Sequence, residues 1–544
     1  MPSITEISCK PYKDQRPGTA GLRKKVTVFQ QPHYLETFVQ SILNTVDLPA
    51  NATLVVGGDG RYYNREAIQT VLSMAAANSI GHVIVGQGGL LSTPAAANLI
   101  QKKGAQLGLL LTASHNPGGP DGDFGVKFNM ENGGQAPEHL TEAVYQASRN
   151  IDSYKLADIP AIDLDRSGTV NAGDMTIEVV DPVADYAELM ESLFDFAAIR
   201  AMLAGGTRVH FDALNAATGP YAQTIICDML GAPADSVANT VPLEDFGGLH
   251  PDPNPADAPH LVELAMSDAA PDLIAASDGD GDRNMILGRG LVVSPGDSLA
   301  IILQHVRCAP GYASGVPGVA RSMPTSRAVD QVAADLGLPC YETPTGWRYF
   351  SNLLSAGRIG LCGEESFGTS SSHAAEKDGL WAVLFWLNMM AATGQPVADL
   401  VHSHWSRYGR TFFQRRDFFI PDTDSAQQLM SELTAAVPAM AGRSAAGFTV
   451  NEADVFNYLD PVDGSESDNQ GIRIHLDNGG RICVRLSGTG TSGATLRMYL
   501  DRHTTDADEF GLSPDDALAP IAATGAELAR ITEITGLTAP TTII

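Results

Sequence analysis

Short apolar runs alternate with amphipathic stretches through the first two thirds of the chain. Thr53–Val56 is a β-branched, apolar run ending in GGDGR, and Arg65–Asn78 then places Ala67, Ile68, Val71, Leu72 and Ala75 on one helical face. Gly81 interrupts that pattern, and His82–Val85 predicts a second strand. Pro94–Ala105 predicts a helix with Thr93 as its cap and Pro94 in its first turn. Leu107–Leu111 follows as a fully apolar strand. The same grammar returns with strands at Arg208–Phe211, Leu273–Ala276 and Ile359–Cys362, and with helices at Gly219–Leu230 and Arg327–Leu336. Strands alternating with helices predict α/β units whose sheets are covered on both faces. The strands opened by Leu107, Leu273 and Ile359 each run into a polar loop rich in glycine. In open α/β sheets, ligands gather at the carboxyl ends of strands, so these three loops are the first places to look for chemistry.

Past residue 405 the texture changes. Arg410–Ile420 is aromatic and basic, and 472–477 and 481–486 alternate as a hairpin around Asn478, Gly479 and Gly480. The last domain is therefore expected to be α+β, with 501–520 as a surface connection. Leu380–Ala392 is an apolar stretch of 13 residues. That is short of the ~18 that suggest a membrane span, so it predicts a buried helix. A length of 544 residues implies three to four domains. The net charge of −28 disfavours nucleic acid and anionic membranes as partners. It also requires a local basic patch if the substrate is an anion. Six cysteines without Cys-x-x-Cys spacing suggest neither zinc nor a redox dithiol. With a beginning that lacks the pattern of a signal peptide, they point to a soluble, cytoplasmic protein.

Candidate chemistry lies in the glycine-bearing loops. In LTASHNPGG, Ser114 follows the strand directly on a turn, either as a nucleophile or as a capping serine. Gly-x-Ser-x-Gly is absent, so it is not an esterase elbow. Lys127, in GDFGVKFN, is a phosphate contact, a proton-transfer group or a solvated lysine. Asp278, Asp280 and Asp282, separated by Gly279 and Gly281, are hard oxygen donors suited to Mg2+. The other reading is an acidic solvated turn, which the apolar strand leading into it disfavours. Arg283 stands beside them, able to pair with the same anion. SGTGTSG contains Gly488, Gly490 and Gly493 as G-x-G-x-x-G, but strand periodicity follows it instead of a helix. With Arg485 and Arg497 at its base it reads as an anion clamp or as a plain hairpin. In GEESFG, Glu364 and Ser366 suit sugar hydroxyls, although an ordinary turn would look the same. No P-loop sequence occurs.

Together these segments resemble the α-D-phosphohexomutases, and within them the phosphoglucomutase branch. PGTAGLRK, GGDGRYYN, TASHNPGGPDGDFGVKFN, DFGGLHPDPN, SDGDGDRNMILG, RSMPTS, PTGWRYF, GEESFG, EKDGLWA and RLSGTGTSGATLRMYL carry the likeness almost end to end. Phe367 and Gly368 stand where the phosphomannomutase/phosphoglucomutase group usually has Gly-His, which favours glucose. The resemblance implies three similar α/β domains with mixed sheets and a C-terminal α+β domain around a deep central cleft. Their expected ranges are 1–180, 181–291, 292–405 and 406–544. It implies that Ser114 carries phosphate and, with Asp278, Asp280 and Asp282, holds Mg2+. Arg23, His115, Lys127 and Arg283 would surround the transferring group. Thr345, Gly346, Trp347, Glu364, Ser366 and Lys377 would bind the sugar phosphate. Arg485, Ser487, Gly488, Thr489, Gly490 and Arg497 would clamp the idle phosphate. The implied reaction interconverts α-D-glucose 1-phosphate and glucose 6-phosphate through a phosphoserine enzyme and glucose 1,6-bisphosphate. The alternatives are a mutase that also takes mannose or glucosamine phosphates, and a non-catalytic phosphoglycoprotein on the same scaffold. Departures are few: Ala20 replaces a common serine or threonine, Arg348 a common lysine, and Ala374 and Ala375 precede EKDGLWA.

Overall fold

Each of the three α/β sheets contains the same short unit: two parallel strands, then a turn into an antiparallel third. The computed structural model describes residues 2–18, 20–490 and 493–544. In the first sheet, Thr53–Gly58 and Leu107–Leu111 run parallel and Asp123–Met130 returns antiparallel to the latter. In the second, Val209–Asp212 and Leu273–Ser277 are parallel and Asn284–Gly288 returns. In the third, Val319–Ser322 and Leu361–Gly363 are parallel and Thr369–Ser371 returns. The sheets hold seven, five and four strands, and the returning strand is one of the antiparallel members that make each of them mixed. In each domain the chemistry-bearing loop is the turn before that return. An apolar strand buried on both faces forces its polar successors out at the sheet end, which is why the three loops occupy equivalent places.

The three domains share a core. Val55 and Leu110 of the first sheet, Phe211 and Ala275 of the second, and Leu361 of the third belong to one buried cluster with Trp381. The apolar stretch predicted as a buried helix is Gly379–Thr393, with Leu380 through Leu387 each at most 2% exposed. Among the described residues, no helix is long and apolar enough to cross a membrane.

The fourth domain has its own core. A seven-stranded sheet packs Ile474, Val484, Leu496 and Met498 against Leu429 and Leu433 of the helix Thr423–Ala436 and Leu518 and Ile521 of Pro514–Leu528. Its border with the third domain carries the small cluster of Met323, Tyr349, Phe456, Tyr458, Cys483 and Tyr499. Polar contacts complete it: Arg327 reaches Asp501 at 2.8 Å, and Arg481 donates to the Met323 carbonyl at 2.8 Å. Small mixed borders of this kind permit relative motion, whereas a shared core resists it.

Two local expectations are corrected. The helix Thr93–Lys103 is capped by Ser92, whose hydroxyl accepts the Ala95 N–H, and not by Thr93. The Thr93 hydroxyl is engaged elsewhere, as described below. The stretch 501–520 is not one surface connection. The strand Gly493–Thr504 runs into it, and the helix Pro514–Leu528 begins within it under a Ser513 cap. Pro520 sits inside that helix, where Thr524 donates its hydroxyl to the Pro520 carbonyl at 3.0 Å.

Candidate active site

Ser114 is held in a left-handed backbone conformation, with φ +52°. A non-glycine residue there is strained and needs support from its surroundings. The support is specific. Its N–H donates to Thr112 Oγ1 at 2.8 Å, and its carbonyl accepts from Arg61 Nη2 at 2.7 Å. Its hydroxyl donates to Asp278 Oδ2 at 2.8 Å, across the border between the first and second domains. Gly279 makes that approach possible, because a Cβ there would lie 2.3 Å from the Ser114 carbonyl oxygen.

Behind Ser114 lies a buried ion pair whose roles the sequence did not disclose. Arg61 Nε donates to both oxygens of Asp59, at 3.0 and 2.8 Å, and Arg61 Nη1 donates to the Asp123 carbonyl at 2.8 Å. Thr112 donates its hydroxyl to Asp59 Oδ2 at 2.6 Å. The signal was present in GGDGR, two opposite charges directly after a buried strand with an apolar centre. Arg61→Met is expected to cost about 3–5 kcal/mol, because it strands a buried carboxylate. Urea denaturation measures that loss, and unchanged stability would remove Arg61 from this role.

Asp278, Asp280 and Asp282 are buried, and one carboxylate oxygen of each lies within 4.8 Å of the others. Burial, reinforced by Asp282 and Asp280, pushes the Asp278 carboxyl well above the usual carboxylate range. Asp280 is held low against its own burial by Lys127, by the Thr93 hydrogen bond and by Lys377. Asp280 Oδ2 accepts from Thr93 Oγ1 at 2.8 Å, and the Asp278 Oδ1 atom accepts the N–H groups of Asp282 and Arg283 at 2.9 and 3.0 Å. Asp280 Oδ1 and Asp282 Oδ1 are buried without hydrogen-bond partners. Buried carboxylate oxygens without hydrogen-bond partners, in an all-oxygen cluster, fit a hard divalent cation.

The basic side chains close around this cluster. Arg23, on the strand Leu22–Lys25, has its guanidinium pushed down by burial and drawn back by Asp280. Lys127 Nζ lies 2.9 Å from Glu376 Oε1 and 3.4 Å from Thr93 Oγ1. Glu376 is buried and is also bound by Asn129 and Gln135 at 2.9 and 3.1 Å. Arg283 is steadied by Asp252 at 2.9 Å, with Nε 3.9 Å from Asp278 Oδ2. His115 Nδ1 is 3.4 Å from Ser114 Oγ, and burial, with Arg283 and Arg23 nearby, pushes its pKa well below the ordinary value. The imidazole is therefore neutral near pH 7. Thr93, Asp252 and Glu376 are contributors that sequence reasoning missed. Only Glu376 carried a signal, as an acid beside Lys377 at the mouth of an apolar helix.

The loop of the third domain is joined to the metal-type loop of the second. Phe367, itself at φ +65°, accepts at its carbonyl from Asn284 N and Nδ2, at 2.8 and 3.1 Å. Arg283 and Gly368 form a backbone bridge. Lys377 Nζ reaches Asp282 Oδ2 at 3.2 Å, and its stem lies over Gly368, where a Cβ would meet it at 2.4 Å. Glu364 accepts the Gly346 N–H at 2.9 Å, and Ser366 Oγ is 3.5 Å from the other Glu364 oxygen. Thr345 Oγ1, Trp347 Nε1 and Arg283 Nε are buried without hydrogen-bond partners. Orphaned donors gathered in one loop system mark a place shaped for a polar ligand.

Arg485 and Arg497 stand opposite each other on the strands Arg481–Gly490 and Gly493–Thr504, with Ser487 opposite Thr495. Arg485 donates to the Gln470 carbonyl at 3.2 Å, and Arg497 Nε, 3.9 Å from Asp417, is buried without a hydrogen-bond partner. The backbone at Gly488, Thr489 and Gly490 completes the first strand, and the Thr489 side chain lies outside the described residues. Among the described residues, no hydrogen bond or ion pair joins Arg485 or Arg497 to Ser114 or the aspartates. The structure thus contains one tightly wired cluster and, on a separate domain, one pair of arginines.

Comparison with known proteins covers nearly the whole chain. Residues 14–155, 184–290 and 295–408 match the phosphoglucomutase/phosphomannomutase alpha/beta/alpha domains I, II and III, and 410–541 match the phosphoglucomutase-1 C-terminal domain. A phosphoglucomutase of Rhizobium radiobacter is 54% identical over 540 residues, covering 99% of this chain and 100% of that protein. Human phosphoglucomutase-1 is 48% identical over 566 aligned positions, covering 100% of both. The open form of the exocytosis-sensitive phosphoprotein pp63/parafusin, a phosphoglucomutase from Paramecium, superposes with a TM-score of 0.92 at 42% identity, over 100% of this chain and 99% of that one.

Proposed function

Because the chain belongs to the phosphoglucomutase/phosphomannomutase family, we propose that it interconverts α-D-glucose 1-phosphate and glucose 6-phosphate through a phosphorylated Ser114. The observation that carries this reading is the 2.8 Å contact between the Ser114 hydroxyl and Asp278, made across a domain border. A serine aimed at three buried carboxylates makes little sense by itself. Aimed at a cation site, it is where a phosphoryl group would be carried and neutralised. Asp278, Asp280, Asp282 and an oxygen on Ser114 would hold Mg2+, whose role when bound is to neutralise charge on the transferring phosphoryl group.

The remaining work falls to side chains of this chain. Phosphorylated Ser114 gives its phosphoryl group to the 6-hydroxyl of glucose 1-phosphate. The Ser114 oxygen leaves and takes up a proton, and the sugar hydroxyl loses one. Glucose 1,6-bisphosphate then turns over in place, Ser114 takes the other phosphoryl group back, and glucose 6-phosphate leaves. His115, neutral and 3.4 Å from Ser114 Oγ, is placed to accept the Ser114 hydroxyl proton when the serine takes the phosphoryl group back. Lys127, paired with Glu376, acts as fixed positive charge alongside Arg23 and Arg283. Glu364, with Ser366, Thr345, Gly346 and Trp347, grips the sugar hydroxyls, and Lys377 spans the two loops. Arg485, Ser487, the 488–490 backbone and Arg497 take whichever phosphate is idle. This basic lining answers the requirement set by a net charge of −28. Sugar phosphates are then the partners, and the cytoplasm is the compartment, in keeping with six free cysteines.

A coupled assay on glucose 1-phosphate, with and without Mg2+ and trace glucose 1,6-bisphosphate, tests the reading. Formation of glucose 6-phosphate dependent on both supports it, and no product under any of these conditions overturns it. Mannose and glucosamine phosphates run alongside measure sugar preference, with glucose expected to lead. Arg497→Ala is expected to raise KM for glucose 1-phosphate about 10- to 100-fold, the scale of a lost charge-assisted hydrogen bond. Steady-state kinetics check this, and unchanged KM and kcat would take Arg497 out of the clamp.

A further inference from the structure

The segment Thr345–Gly346 runs directly into the helix Trp347–Ser355, and that helix is gripped from two sides. On one side, Arg348 pairs with Glu138 of the first domain at 2.8 Å, and Ser351 donates to the Ala375 carbonyl at 2.7 Å, next to Glu376. On the other side, its hydrogen-bond partners lie on the fourth-domain hairpin formed by Tyr458–Leu459 and Glu466–Ser467. Asn352 Nδ2 donates to Asp460 Oδ2 at 3.2 Å and to Asp463 Oδ2 at 3.0 Å. Tyr349 donates its hydroxyl to Ser467 Oγ at 3.1 Å, and its ring meets Tyr458 edge-on at 5.4 Å.

The two aspartates divide their oxygens. Asp460 Oδ1 accepts the Val462 N–H at 2.8 Å, and Asp463 Oδ1 accepts the Ser465 N–H at 2.9 Å. Each therefore uses one oxygen to fix the hairpin turn and offers the other to the same amide. Asn352 supplies two N–H donors to two carboxylates, which makes it the joint between this hairpin and the helix behind the sugar loop. The other end of that helix meets Gly346, whose N–H holds Glu364. Displacement of the hairpin would thus be felt at the residues that grip the sugar.

We propose that Asn352 is a positioning residue that fastens the fourth domain over the sugar loop and so sets how long the doubly phosphorylated sugar is retained between the two phosphoryl transfers. This rests on the reaction proposed above. That reaction needs the intermediate to turn over without escaping, and the fourth domain, with its separate core, is the part able to open.

Two variants of opposite charge test it. Asn352→Asp keeps the shape but places a third carboxylate against Asp460 and Asp463. Asn352→Lys places a cation there. The measurement is the amount of glucose 1,6-bisphosphate released into solution per glucose 6-phosphate formed, when phosphorylated enzyme meets glucose 1-phosphate. Asn352→Asp is expected to raise that ratio roughly tenfold, the scale of lost hydrogen bonds to charged groups, and added salt should partly reverse it. Asn352→Lys is expected to lower the ratio below wild type. Circular dichroism and melting curves confirm that both variants fold, and a merely structural role would not produce shifts of opposite sign. If wild type releases bisphosphate and both variants match it, or both shift the same way, the proposal is overturned while the reaction stands. If phosphorylated wild type forms no bisphosphate at all, the reaction falls and this proposal falls with it.

Discussion

Ser114→Ala is expected to reduce turnover by at least about 10⁴-fold while leaving the fold intact. The size of the loss follows from the role. A phosphoryl carrier must present a hydroxyl oxygen at the aspartate cluster, and the neighbouring hydroxyl of Thr112 is occupied between Asp59 and the backbone N–H of residue 114. The supports of the turn do not depend on the hydroxyl. Arg61 binds the Ser114 carbonyl, and Thr112 binds its N–H, so alanine retains both. What alanine loses locally is one donor to Asp278, whose other oxygen keeps the N–H groups of Asp282 and Arg283. The melting temperature should therefore move little, and labelled bisphosphate should no longer transfer phosphate to the protein. Retained turnover in the coupled assay, or phosphate still captured by the alanine variant, would refute the assignment.

Asp280→Asn carries the second large effect. Asparagine keeps the shape and can still accept from Thr93 through its carbonyl oxygen. It removes one negative charge from a cluster whose unpaired oxygens, Asp280 Oδ1 and Asp282 Oδ1, are the natural cation ligands. The expected loss in kcat is about 10²–10³-fold, the range for removing one preorganised electrostatic contribution. Two readouts separate this from damage to the fold. Chelation of the wild type should abolish activity that Mg2+ restores, and Mg2+ should raise the wild-type melting temperature by mass action. The variant should show little of either response. Without Mg2+ it should fold at some cost in stability, because Lys127 and Lys377 lose part of the negative charge they are held against. A variant with an undiminished Mg2+ response would show that the aspartate cluster is not the cation site.

The stability effect at Arg61 and the binding effect at Arg497 have different signatures from these. Arg61 acts through the unfolding equilibrium, since the pair with Asp59 holds the backbone turn beneath Ser114. Arg497 acts through KM, since it stands on a domain apart from the reactive cluster.

Local sequence was enough to find the strands and the loops that follow them. A buried strand needs consecutive apolar residues, and chemistry needs polar ones, so the change from Leu107–Leu111 to TASHNP or from Leu273–Ser277 to DGDGDR is visible in the order of residues. The Asp-x-Asp-x-Asp spacing was equally plain, because three carboxylates so near in sequence cannot be far apart in space. The cap of Thr93–Lys103 was misread because Ser92 and Thr93 are both good cap residues. Only the neighbouring domain decides that the threonine hydroxyl belongs to Asp280. The helix starting at Pro514 was hidden by acidic, proline-bearing sequence that suits a surface connection equally well.

What the order of amino acids determined by itself was the alternation of elements, the separate character of the last domain, and the polar loops that carry the candidate chemistry. These are set by periodicity and by the kinds of side chain present, over distances of a few residues. Tertiary structure alone decided which loops meet. The Ser114–Asp278 contact spans 164 positions and Lys127–Glu376 spans two domains, and neither has a local signature. Arg61 was visible as a charge after an apolar strand, but its place beneath the serine, like that of Asn352 at the fourth-domain hairpin, was not. Their roles come from burial and from partners brought together by packing, and a side chain's environment is a property of the folded chain and not of its neighbours in sequence.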